Sequence, residues 1–110
     1  MQKVTIEDIG GELIKDTDVY TLKDNRLLTQ MVLSSTLLRA GKNTTGHRHV
    51  GQEEVYYFID GEGTMEVDHR VFPINAGDVV LIQDGEFHKV YNTGHLGLNF
   101  ICVFNGKRSH

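Results

Sequence analysis

The stretch TTGHRHVGQEEVYYFIDGEG, Thr44 to Gly63, sets two histidines two residues apart, follows them with adjacent glutamates, and runs through an apolar segment into a Gly-x-Gly turn. In an extended strand, side chains alternate between faces, so His47 and His49 project the same way and Arg48 the other. Two imidazoles therefore converge on one point. A loop from Val50 to Glu53 separates them from Glu54, which opens the next strand and can return a carboxylate to the same place. The spacing after His49 also admits Glu53. A third imidazole, His88, lies in the later run EFHKVYN and joins the others only if the sheet closes on itself.

Working outward, the runs LLTQMVLSSTLLR, EEVYYFI, TMEVD, RVFPI, DVVLI, FHKVYN and LNFICVF are short and rich in Val, Ile, Tyr and Phe. Gly-containing turns separate them, which is the pattern of strands. The earlier segment ELIKDTDVYTL reads as one more strand. Close spacing without helical stretches of a dozen residues predicts an all-β sandwich or barrel rather than βαβ units. With 110 residues, one proline, no linker-like stretch and no internal repeat, the chain is expected to be one domain, residues 1–110.

Composition narrows the chemistry. The net charge of -4, with no run of Lys or Arg, excludes a stripe that could follow a phosphate backbone. Nucleic acid is therefore not an expected partner. The segment MQKVTIEDIGGELIKD carries acids where a signal peptide needs an apolar core, and no run of 18 apolar residues occurs, so a cytoplasmic protein without membrane association is expected. The single cysteine, Cys102, excludes both an internal disulfide and a thiolate-rich zinc knuckle. Any metal would be held by nitrogen and oxygen, a donor set that accepts Fe, Mn, Ni, Co, Zn or Cu without distinguishing them.

Two segments carry a family resemblance. Gly41-x5-His47-x-His49-x4-Glu54-x6-Gly61 resembles the first cupin motif, and Gly77-x5-Gln83-x-Gly85-x2-His88-x3-Asn92 resembles the second. Gln83 departs from the family pattern, which usually has proline there. The resemblance implies a jelly-roll β-barrel holding one divalent transition metal, with His47, His49, Glu54 and His88 as its ligands, and it implies a homodimer. It favours Glu54 over Glu53, because family members place the carboxylate seven residues before the closing glycine. Small cupins that ketonise unsaturated uronates have a final-strand pattern similar to CVFNGKR, but with an acid where this chain has Cys102.

The remaining residues of interest follow from strand alternation. Phe100, Cys102 and Phe104 share one face of the last strand and Ile101 and Val103 the other; Tyr56 and Phe58 share a face with Glu54. If these faces point inward, Tyr56, Phe58, Cys102 and Phe104 line a substrate cavity. Arg108 could then fold over its mouth, where a planar fork suits a carboxylate or phosphate, although the simpler expectation is a loose tail. His69 and His95 read as solvated turn residues, and His110 as a disordered terminal one. Arg48 and Lys89 read as surface or interface charges.

Three functional classes are compatible with this set. An ion with two open positions would bind a carbonyl and its neighbouring hydroxyl, as isomerisation or tautomerisation of a sugar, sugar phosphate or sugar acid requires. Glu53, Tyr56 and a metal-bound hydroxide are the candidate bases, and the residues do not choose among them. With iron the same ligands would suit a dioxygenase. Without a placed base, the barrel would be a ligand-binding or sensor module. Apolar residues on both sheet faces also suggest that a second subunit covers part of the exterior.

Overall fold

The computed structural model describes residues 1–108. Among them run nine strands and no helix: β1 (Glu12–Asp16), β2 (Tyr20–Asn25), β3 (Met31–Leu38), β4 (Glu54–Asp60), β5 (Glu62–Val67), β6 (Arg70–Asn75), β7 (Val79–Ile82), β8 (His88–Tyr91) and β9 (Leu98–Asn105). The segment ELIKDTDVYTL is thus a hairpin rather than one strand. Thr17 turns the chain there, its Oγ1 accepting the backbone N–H groups of Val19 (3.1 Å) and Tyr20 (3.2 Å).

Six strands form an antiparallel sheet in the order β1-β2-β3-β9-β4-β7, and three form a second in the order β6-β5-β8. Together they make the expected jelly-roll barrel. The histidine-bearing segment extends the smaller sheet. Asn43 bridges to Tyr91 and His47 to His88, so four steps on one side span three on the other and one extra residue bulges out. The expectation of a regular strand here is therefore corrected: His47 is paired at an isolated bridge, and His49 lies beyond it.

Strand alternation places the interior. Leu98, Phe100, Cys102 and Phe104 of β9 are buried, as are Tyr56 and Phe58 of β4, while Val55 and Tyr57 face outward. Register then sorts the inner face into rows. Leu22, Thr36, Phe100 and Phe58 form one, Asp24, Ser34, Cys102 and Tyr56 the next, and Phe104, Glu54 and Ile82 the third. The apolar core is Leu38, Phe58, Met65, Ile74, Val90 and Leu98, each at most 1% exposed. Burying a side chain such as Phe58 contributes about 1.5–3 kcal/mol.

The motif glycines have a conformational reason. Gly41, Gly61, Gly77 and Gly85 sit at φ of 75°, 98°, 94° and 81°, a region that L side chains rarely adopt. At Gly61 a Cβ would also lie 2.8 Å from the carbonyl oxygen of Gly97. The outer face of the large sheet departs from the usual polar surface. Leu33, Val103, Val55 and Leu81 form a row across four strands, with Val55 40% and Leu81 70% exposed.

Candidate metal centre

His47 and His88 exchange both backbone hydrogen bonds, at 3.2 and 3.0 Å. This pairing brings two sequence-distant imidazoles side by side. Gly46 permits it, because a Cβ there would run into the Phe87 ring. Ring centroids lie 4.6 Å apart for His47 and His49, 4.6 Å for His47 and His88, and 6.1 Å for His49 and His88. One nitrogen from each ring falls within 4.8 Å of the other two, close enough for the three to share an ion. Glu54 adds its Oε1 at 3.2 Å from His88 Nε2, with the two side chains 11% and 3% exposed. Glu53, in the loop just before β4, is exposed.

The backbone also selects tautomers. His47 Nδ1 lies 3.0 Å from the Thr45 carbonyl and His88 Nδ1 lies 3.0 Å from the Glu86 carbonyl. A carbonyl only accepts, so each Nδ1 donates, and in the neutral ring Nε2 keeps its lone pair. His88 Nε2 is buried beside Glu54 without hydrogen-bond alignment. A lone pair facing a carboxylate oxygen is unfavourable unless a proton or a metal cation lies between them. The donor set therefore fits a divalent ion, and backbone carbonyls holding the opposite ring nitrogens are the usual second-layer support.

Protonation follows from the same contacts. Burial pushes His88 down, but the Glu54 carboxylate and the Glu86 carbonyl outweigh it, and the imidazole rises above its ordinary 6.5. His49 is lowered, by burial first and then by His88, with Glu54 opposing and Arg108 adding. In the metal-free protein the His88 contribution to stability is complete below the unfolded value and is lost as pH rises through the higher folded value. Metal must displace that proton, so affinity is expected to fall as pH drops through the raised value. Titrating the protein with Zn(II) between about pH 5.5 and 8 checks this; an affinity flat across that range counts against it.

Beside the centre lies a cavity of about 230 Å³, reached by His47 and Glu54 and walled by Tyr20, Ser34, Thr44, Thr45, Tyr56, Cys102 and Arg108. Two expectations for its lining are corrected, and one for the tail. Phe58 does not line it; the ring is fully buried behind, 6.0 Å from Tyr56 and 5.3 Å from Phe100. Phe104 also stands back, packed 5.0 Å beneath the Arg108 guanidinium. Arg108 is not in a loose tail: its Nε and Nη2 bond the Asp24 carboxylate at 2.5 and 2.8 Å, and Nη2 also bonds Ser34 Oγ at 2.9 Å.

Burial, then the neighbouring Cys102 and Glu54, push the Tyr56 phenol well above its ordinary value; burial and then Glu54 do the same to the Cys102 thiol. Both are neutral at physiological pH, so the Tyr56 hydroxyl is available as a hydrogen-bond donor and not as a base. Asp24 was missed in the sequence. The signal was there, a carboxylate in phase with Tyr20 and Leu22 on an inward face, but its partner lies 84 residues away.

The turn before His88 explains the departure at Gln83. Its backbone N–H donates to Glu86 Oε1 at 2.7 Å, a bond that proline could not make. Asn92, which ends the second motif, is buried and donates to the carbonyls of Leu38 and Leu96, both at 2.9 Å. His69 and His95 are exposed, as expected. Arg48 is exposed, bonded to the Gly85 carbonyl, and the Lys89 ammonium lies over the Tyr91 ring. His110 lies outside the described residues.

A family model for the cupin domain matches residues 36–104, more than half of the chain. The chain belongs to the cupin family. Among curated relatives of this cupin, the oxalate-binding protein of Thermotoga maritima is 39% identical over 66 residues, covering 60% of this chain and 54% of that protein. A glucose-6-phosphate isomerase of Thermococcus kodakarensis is 26% identical over 121 residues, covering 94% and 64%. This cupin therefore spans less than two thirds of either relative. Among solved structures, a predicted oxalate decarboxylase of Thermotoga maritima superposes with a TM-score of 0.75 at 28% identity, covering 94% of this chain and 98% of that one. No helix among the described residues is long and apolar enough to cross a membrane.

Glu54→Ala is expected to weaken metal binding more than Glu53→Ala, because only Glu54 turns its carboxylate toward His88. Paired metal titrations check the order, and the reverse order would move the ligand by one residue.

Proposed function

We propose that this cupin is a metal-dependent enzyme acting on a small oxygen-rich molecule, by isomerisation or tautomerisation of a sugar, sugar phosphate or sugar acid. The observation that carries the reading is the convergence of three imidazoles beside the cavity, with the Glu54 carboxylate against one of them, His88. His47, His49, His88 and Glu54 would hold one divalent ion, which supplies Lewis acidity toward a substrate carbonyl when bound. The protein's own groups do the rest. Thr45 and Glu86 carbonyls keep the His47 and His88 nitrogens oriented. The Tyr56 hydroxyl stands as a hydrogen-bond donor, and Arg108 places a cation in the wall, held still by Asp24 and Phe104. The cavity, about 230 Å³, has room for a small ligand.

A second reading is binding of a small dicarboxylate without turnover, favoured by the 39% identity to an oxalate-binding protein. The experiment that separates the two loads the protein with Mn(II), Fe(II), Co(II), Ni(II), Cu(II) or Zn(II) and screens oxalate, sugar acids and sugar phosphates by thermal shift. Every ligand that binds is then followed for turnover by NMR. Conversion of a sugar or sugar acid supports the enzyme; oxalate binding without conversion supports the second reading. Oxygen consumption by the iron-loaded sample would replace both with a dioxygenase.

We further propose that the protein is a cytoplasmic homodimer. A second copy is the proposed cover for the apolar outer row of Leu33, Val103, Val55 and Leu81. Sedimentation of the unaltered protein and of Leu81→Lys tests the pairing; a monomer in both rejects it.

A further inference from the structure

The loop that leads into Glu54 has no apolar anchor of its own. Val50 at its tip is 93% exposed, so its position depends on polar ties. On one side Gly51 N donates to Asp84 Oδ1 at 2.7 Å and Gly85 N donates to the His49 carbonyl at 2.9 Å. On the other side the ties among the described residues end on the last residue of β9 and the segment that follows it. Asn105 Oδ1 accepts the backbone N–H of Glu53 at 2.7 Å, and Asn105 Nδ2 donates to the Gly51 carbonyl at 3.1 Å. Gln52 Nε2 donates to the carbonyls of Asn105 at 2.8 Å and Lys107 at 3.2 Å.

That segment is itself clamped at both ends. Gly106, at φ 79°, donates its N–H to the Gln30 carbonyl at 3.0 Å. Arg108 then enters the barrel, forks onto buried Asp24 and lies over Phe104, the residue opposite Glu54 in the β4–β9 register. The chain thus links a rigid ion pair inside the barrel to the loop between His49 and Glu54.

We infer that Asn105–Arg108 is a strut that sets the position of the Glu54 carboxylate, with Asn105 and Gln52 as positioning residues that act through the loop rather than on any ligand. The inference rests on the metal-centre reading above. Sites of this kind need their first donors held within about 0.5 Å, and among the described residues it is Asn105 that holds the Glu53 backbone.

The test is Co(II) titration of the full chain, read by calorimetry and by the visible spectrum of the bound ion. Asn105→Ala is expected to weaken Co(II) about tenfold or more, the usual cost of losing an outer support, and to change the spectrum. Asn105→Asp keeps an acceptor for Glu53 N–H and should restore part of the loss. In a Glu54→Ala background, Asn105→Ala should cost nothing further, because the carboxylate it positions is gone. Should Asn105→Ala fail to fold by circular dichroism, Gln52→Ala, whose ties end on the same segment, decides in its place. Unchanged affinity in the single variant, or an equal loss in both backgrounds, overturns the strut while leaving the metal centre standing. Absence of Co(II) binding by the unaltered protein overturns the metal centre, and the strut falls with it.

Discussion

His88→Ala is expected to abolish stoichiometric metal binding while the barrel stays folded. The His88 backbone, which pairs with His47, survives the substitution, and the neighbouring Val90 still fills the core. What is lost is the nitrogen that shares Glu54 with the ion. Changing an outer support costs about 10–100-fold in affinity, and removal of a direct donor should exceed that range. His49→Ala should behave likewise, since its ring lies 4.6 Å from His47 in the same cluster. Elemental analysis of both purified variants, with circular dichroism for the fold, is the measurement. Full metal content in both would reject the site.

Arg108→Met should be among the most destabilising single changes. It strands the Asp24 carboxylate, which is fully buried, and breaking a buried pair from one side costs about 3–5 kcal/mol. For a domain of this size that corresponds to a fall in Tm on the order of 15 °C or more. Asp24→Leu should cost less, because the Arg108 side chain, 10% exposed, can swing its charge into solvent. The double variant Asp24→Leu/Arg108→Met should recover most of the loss, since two apolar groups replace both partners of a pair whose attraction only offsets its desolvation. Thermal unfolding of the three variants gives the comparison. Equal destabilisation by all three would mean that the ion pair is not what holds this end of the barrel.

Much of this architecture was legible in the residues. Strand alternation is local, so Tyr56 and Phe58, and likewise Phe100, Cys102 and Phe104, could be placed on shared faces from their spacing, while which face of β4 and β9 turns inward was decided by the fold. The glycine frames were legible for the same reason, since a positive φ is a property of one residue. Depth within a face was not. Phe58 and Tyr56 alternate identically, yet one is core and the other wall, because register with β9 sets how far along the barrel each lies. The hairpin at Thr17 was hidden because its polar turn has no glycine.

By itself, then, the sequence determined the chemical types available to the centre, their spacing and the family, because all of these depend on residues close together in the chain. Only the tertiary structure decided that His88 meets His47, that Glu54 and not Glu53 turns inward, and that Arg108 is spent on Asp24 at the cavity wall. Each of those is a contact between segments far apart in sequence, and its geometry is set by how strands pair and close, which no local pattern of side chains encodes.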